Sequence, residues 1–221
     1  MKKVKSSLLT LFFISIPFIL LSLPPEQQGY EINVQINGLK NSKLYLGFHY
    51  GNKQFIKDTI QLNANGAGTF QGEEALQQGI YLVITPKKKY FEILAGEDQH
   101  FSLKTNVNNF VNTLEFKGSE INQAFNEYQK FMMKQNQKSA ALKKKLKAAK
   151  GKKDAKQRIQ KQLRELDKQV KQKWNSVISE YPNSLLAAII KGMKNVEVPD
   201  FNIPGSAQKQ DSLRWEKRYQ F

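Results

Sequence analysis

No cysteine occurs anywhere in the chain. That absence excludes disulfide staples, thiolate nucleophiles, CxxC redox chemistry, cysteine zinc sites and the lipidated cysteine of a bacterial lipoprotein. Histidine is nearly as scarce: the two present, His49 and His100, stand in no HxxxH, HExxH or HxH spacing that brings two imidazoles to one metal. His49 falls on the strand face opposite Leu44, Leu46 and Phe48 and reads as solvent-facing. His100 follows the acidic turn Glu97-Asp98, where a local hydrogen bond is expected. Acids number 19 against 35 Lys and Arg. The pair Glu73-Glu74 reads as two neighbours on a strand, whose side chains point to opposite faces and cannot flank one scissile bond. The sequence therefore assigns no catalytic residue, no metal ligand and no cofactor site. A carboxylate-based enzyme remains as a reading without a motif.

What is present suffices for folding. With 221 residues and 40% hydrophobic content, the chain can bury one or two ordinary cores. Its charge is unevenly placed. Between Lys138 and Lys173 there are fifteen Lys or Arg against three acids (Asp154, Glu165, Asp167), a net +12. That segment and the three lysines near the start (Lys2, Lys3, Lys5) leave +1 for everything else, out of +16 in all. The basicity belongs to one element.

Lys2, Lys3 and Lys5 precede an uncharged run from Leu8 to Leu23 that Pro24-Pro25-Glu26 ends. This is the order of an export signal, which places the mature protein in the periplasm or cell envelope. The run is short of the ~20 residues of a spanning helix, and Pro17 interrupts it. Cleavage after Ser22 would leave Leu20 at the position where a small residue is wanted, so retention as an uncleaved anchor is the alternative.

Tyr30 to Asn37 alternates apolar and polar residues without a fault, the pattern of a strand with one wet face. Lys43 to Tyr50 repeats it after the turn residues Gly38 to Ser42. Further strands are expected over Phe55 to Leu62, Thr69 to Gln71, Gly79 to Thr85, Tyr90 to Leu94, Gln99 to Thr105 and Leu114 to Lys117. Turn residues separate them, including the hairpin tip Asn63-Ala64-Asn65-Gly66 and the corner Pro86-Lys87-Lys88-Lys89. No helical segment intervenes to make a parallel crossover, so residues 30–117 read as an antiparallel β-sandwich or open barrel.

Residues 119–195 read as a helical arm, giving an α+β chain. Ser119 is placed to cap a helix whose apolar residues Ile121, Phe125, Tyr128 and Met132 recur at helical spacing. Leu142, Leu146 and Ala149 continue a thinner stripe. Gly151 then stands where a C′ residue belongs, with Asp154 as N-cap of a second helix. That helix carries Ile159, Leu163, Leu166, Val170, Trp174, Val177 and Tyr181, a near-heptad seam that wants a partner. An antiparallel hairpin folded at Gly151 is expected, one continuous helix being the alternative, since a single glycine costs only ~1 kcal/mol in a helix interior. Pro182 ends the second helix, Asn183-Ser184 caps a short third one through Met193, and residues 196–221 hold a loop (Pro199 to Ser206) and the amphipathic residues Trp215, Tyr219 and Phe221.

Lysines at nearly every non-seam position are the ordinary solvated surface of an extended helix. The functional reading of the same residues is attraction to an anionic envelope surface, lipid or polysaccharide, through Lys143, Lys144, Lys147, Lys150, Lys152, Lys153 and Lys156. Nucleic acid is disfavoured, because the arm offers only Trp174 for base stacking and export removes the protein from most of it. The seam also suits dimerisation through the arm.

Several runs resemble the N-terminal half of exported thioredoxin-like proteins of Bacteroidota, of the TlpA/ResA type. The runs are Asp58-Thr59-Ile60-Gln61-Leu62 before Asn65-Gly66; Gly79-Ile80-Tyr81-Leu82-Val83; Lys88-Lys89-Tyr90-Phe91-Glu92-Ile93-Leu94; Asp98-Gln99-His100-Phe101-Ser102-Leu103; Phe116-Lys117-Gly118-Ser119 with Asn122 and Phe125; and Tyr181-Pro182-Asn183-Ser184. The resemblance implies a β domain of unknown function and a helical region preceding a thiol–disulfide oxidoreductase domain. No redox role carries over, since no cysteine is here to receive it. The expectation is a front half truncated or split from its redox domain, or a stand-alone version of it, working as a non-catalytic accessory module with a protein partner.

Overall fold

The computed structural model describes residues 29–194. The expected export segment, the loop Pro199 to Ser206, and Trp215, Tyr219 and Phe221 lie outside the described residues. Eight strands and four helices follow in the order β1 Tyr30–Asn37, β2 Lys43–Tyr50, β3 Lys53–Gln61, β4 Ala67–Gly72, β5 Gly79–Ile84, β6 Tyr90–Ala95, β7 His100–Asn106, α1 Phe110–Thr113, β8 Glu115–Lys117, α2 Glu120–Ala148, α3 Lys153–Glu180 and α4 Leu185–Met193.

Alternation fixes the faces. In β1, Tyr30, Ile32, Val34 and Ile36 are buried while their neighbours face out. The strands form two four-stranded sheets, ordered β4-β1-β7-β8 and β3-β2-β5-β6, packed as an open sandwich around one apolar interior. The sandwich matches the expected fold, but one pairing departs from an antiparallel arrangement. β1 and β7 run parallel, Glu31 opposite His100 through Asn37 opposite Asn106. The absence of an intervening helix did not forbid this, because the second sheet itself is the crossover: β2, β3, β5 and β6 all lie between β1 and β7 in the chain and across from them in space.

The edge strand β3 carries one extra residue against β2: Leu46 faces Asp58, the next residue Gly47 faces Ile56, and Lys57 is left between. A bulge with a lysine at an open edge discourages pairing with another chain. At the opposite edge β6 is covered. Phe91 and Ile93 point into the sandwich, whereas Leu94 joins a second apolar cluster with Phe125 and Tyr128 of α2, Val177 of α3 and Leu186 and Ile190 of α4. Both faces of β6 are thus buried, which is why its sequence reads as a continuous apolar run at Ile93-Leu94-Ala95.

The arm is a hairpin, as the seam requires. Gly151 adopts φ +79°, a left-handed turn between α2 and α3. The capping differs from expectation. Ala149 is the C-cap of α2, so Gly151 lies one residue beyond C′, and Lys152, not Asp154, is the N-cap of α3, with no side-chain cap bond. Asp154 sits instead in the first turn, where its charge favours the helix dipole. Ser119 does cap α2, its hydroxyl accepting from the Asn122 backbone at 3.4 Å and from the Asn122 side-chain amide at 3.0 Å. Ser184 caps α4 by accepting from Ala187 N at 3.1 Å.

Candidate functional site

α2 has 29 residues and α3 has 28, so the hairpin is ~40 Å long. Among the described residues, only its base is supported by a third element. There α4 and β6 close over Phe125, Tyr128 and Val177, and Trp174 Nε1 donates to Tyr128 Oη at 3.2 Å. Between Met133 and Ser176 only Gln135 and Ala149 are buried. The seam residues Leu142, Leu146, Ile159, Leu163, Leu166 and Val170 are half-buried, because two helices cannot enclose a stripe that needs three or four.

The seven lysines singled out in the sequence come together at the free end of this hairpin. Lys143, Lys144 and Lys147 lie on the last turns of α2, Lys150 and Lys152 in the turn, and Lys153 and Lys156 on the first turn of α3. All seven are exposed. Their placement is only partly explained by helix stability. A cation in the last turn of α2 complements the helix dipole, but Lys152 and Lys153 stand at the N-terminus of α3, where the dipole disfavours positive charge by ~0.3–1 kcal/mol each.

The other residues weighed in the sequence do not converge. His49 is exposed on β2, with Nε2 3.3 Å from Gln54 Nε2 on β3. His100 begins β7 half-buried, and among the described residues it forms none of the side-chain hydrogen bonds expected from its position after Glu97-Asp98, because that turn is occupied otherwise: Gln99 folds back to Gly96 O at 3.0 Å and to Leu76. Glu73 and Glu74 are exposed, and they lie in a bend past the end of β4 rather than on a strand, so the face argument does not apply to them.

A shallow acidic groove at the base of the arm, formed by Glu97, Asp98, Glu120, Ile121 and Tyr181 to Ser184, is not legible in the sequence. Its members come from three distant segments, which no local pattern reveals. Loss of solvent around the ring, and then the Glu180 and Glu120 carboxylates, push the Tyr181 hydroxyl up to about 12. Among the described residues no group of three His, Cys, Asp or Glu is placed to hold a metal ion.

No curated protein and no solved structure matches the chain. One family model does match, that of a domain of unknown function (DUF4369), over residues 30–125. The match begins at the first residue of β1, takes in all eight strands and ends in the first turns of α2. Over residues 30–125, the sandwich with the foot of the arm, the chain is similar to the DUF4369 domain.

Proposed function

We propose that the chain is a non-catalytic extracytoplasmic accessory module that holds a partner of the thiol–disulfide class, with the sandwich as a base and the helical hairpin as the contacting arm. The observation that carries this reading is the hairpin's half-covered seam: Ile159, Leu163, Leu166 and Val170 line up along α3 beyond the last supporting element among the described residues. An apolar stripe of that length is kept out of water when a partner packs on it. The class of partner is suggested by the domain at residues 30–125, which is similar to a family that occurs N-terminal in thioredoxin-like proteins. Any redox step belongs to that partner, since this chain holds no sulfur nucleophile.

Photo-crosslinking in cells tests the reading. A photoreactive residue at Leu163 or Leu166 is expected to yield adducts with a CxxC-bearing thioredoxin-like protein, identified by mass spectrometry, and one at Thr59 on the sandwich edge is not. Seam positions that give no such adduct overturn it.

A further inference from the structure

We propose that the tip of the hairpin docks end-on against an anionic lipid bilayer. This is independent of the seam and its partner. At ~1.5 Å per helical residue, Lys143 lies ~9 Å and Lys156 ~5 Å from the turn, so these seven lysines, and Lys145 with them, fall within about one Debye length of the free end. Lys161, Lys168 and Lys171 on the shaft of α3 lie roughly 12 to 27 Å back along the axis, where salt largely screens the attraction of a charged surface.

The distribution selects the kind of anion. Lys143, Lys144 and Lys145 follow one another at ~100° steps and so spread over about 200° of α2 instead of marking a track along one side. The exposed cations cluster around the turn at the end of a two-helix arm, an arrangement that suits a plane of headgroups better than a linear polyanion. No aromatic residue occurs between Met133 and Trp174, which removes the stacking platforms used for bases. Leu142 and Leu146 are half-buried in the seam, so the tip carries no large apolar wedge and the contact stays at headgroup level. Lys152 and Lys153, set against the dipole of α3, are accounted for by an outside anion and not by the helix. Because the remainder of the chain carries only +4 of the +16 net charge, the field is concentrated on the arm and points its end at the surface.

The test uses the full chain and compares vesicles containing phosphatidylglycerol with vesicles of phosphatidylcholine alone, so that any purely apolar attachment cancels. Two variants each remove four exposed cations: Lys143→Gln, Lys144→Gln, Lys150→Gln and Lys152→Gln at the tip, and Lys161→Gln, Arg164→Gln, Lys168→Gln and Lys171→Gln on the shaft. Circular dichroism establishes that both retain the parent's helix content. Each lysine that reaches an anionic surface contributes about fivefold in partitioning, so the tip variant is expected to lose more than about tenfold and the shaft variant less than about threefold. Added salt should weaken the parent's binding. Equal losses in the two variants, no preference for phosphatidylglycerol, or tighter retention by duplex DNA or dextran sulfate than by the vesicles would overturn the proposal.

Discussion

The side-chain amide of Asn122 pairs with the backbone of Leu94 as a neighbouring strand would: Oδ1 accepts from Leu94 N at 2.7 Å and Nδ2 donates to Leu94 O at 2.9 Å. Asn122 is fully buried, and Leu94 is the residue at which β6 turns its outer face to the helices. One turn further along α2, Asn126 Nδ2 donates to Leu114 O at 2.8 Å, just before β8. α2 therefore grips an edge of each sheet with one asparagine apiece and joins the sandwich to the arm.

Removing the first grip should cost more than removing the second. Asn122→Ala leaves the Leu94 N–H and C=O both buried and unpaired, at ~1–3 kcal/mol each, so a loss of about 2–5 kcal/mol is expected. Asn126→Ala frees only one carbonyl, and among the described residues the Asn126 Oδ1 accepts nothing, so about 1–2 kcal/mol is expected. Urea unfolding midpoints decide the order; a larger effect at Asn126 would show that the strand-like pairing is not what secures α2.

The two sharp turns predict a contrast between glycines of nearly equal conformation. Gly66 (φ +77°) closes the β3–β4 corner, and a Cβ there would meet the backbone carbonyl oxygens of Ile36 and Leu39. Gly151 (φ +79°) has nothing within 4 Å of the same position. Gly151→Ala should cost only the left-handed strain, ~1–2 kcal/mol. Gly66→Ala adds a clash with atoms that cannot rotate away and should exceed ~3 kcal/mol. Thermal unfolding of the two variants measures the difference, and equal shifts would mean that the corner relaxes freely.

How much of this was legible in the sequence depended on whether the cause was local. β1 and β2 were read to the residue, because one buried and one wet face print a two-residue period. The hairpin was legible from the seam and Gly151. The parallel pairing of β1 with β7 was not, since alternation tells which face a residue takes and nothing about its partner strand. α1 is four residues long, too short to show a helical period. The roles of Asn122 and Asn126 are not legible, because what they satisfy, Leu94 and Leu114, lies 28 and 12 residues away. The lysines are plain in the sequence, but only the turn at Gly151 gathers the seven candidates, with Lys145, at one end.

Alkaline pH should weaken the fold through Tyr30. Its ring is buried under β4 and its hydroxyl donates to Asp58 Oδ2 at 3.0 Å. Burial first, and then the Asp58 carboxylate, push its pKa from 10.0 up to about 12. The folded state thus disfavours the tyrosinate, so the contribution is fully present below the ordinary value near 10 and is lost as pH rises toward about 12. Absorbance titration should show a late tyrosinate step that Tyr30→Phe removes, leaving the similar step of Tyr181 in place. Stability of the Tyr30→Phe variant should fall less steeply than the parent's over that window, after an initial loss of about 1 kcal/mol for the hydrogen bond. Parallel pH profiles would mean that Tyr30 titrates normally.

Gln135 is the one large polar side chain buried within the unsupported part of the hairpin, and its Nε2 donates to Gln169 Oε1 across the seam at 3.1 Å. Its own Oε1 has no partner among the described residues. A half-satisfied polar pair in an apolar seam costs stability but fixes which residues face each other and discourages other packings. Gln135→Leu combined with Gln169→Leu removes the unpaired carbonyl and extends the stripe from Met132 to Leu166, so the urea midpoint should rise, by the equivalent of about 1–2 kcal/mol. The same change lengthens the exposed apolar seam, so sedimentation velocity should show more self-association through the arm than the parent shows. A destabilised variant that sediments as the parent does would reverse the argument: the hydrogen bond would then outweigh the buried carbonyl, and the seam would owe its register to attraction between the two glutamines and not to the cost of displacing them.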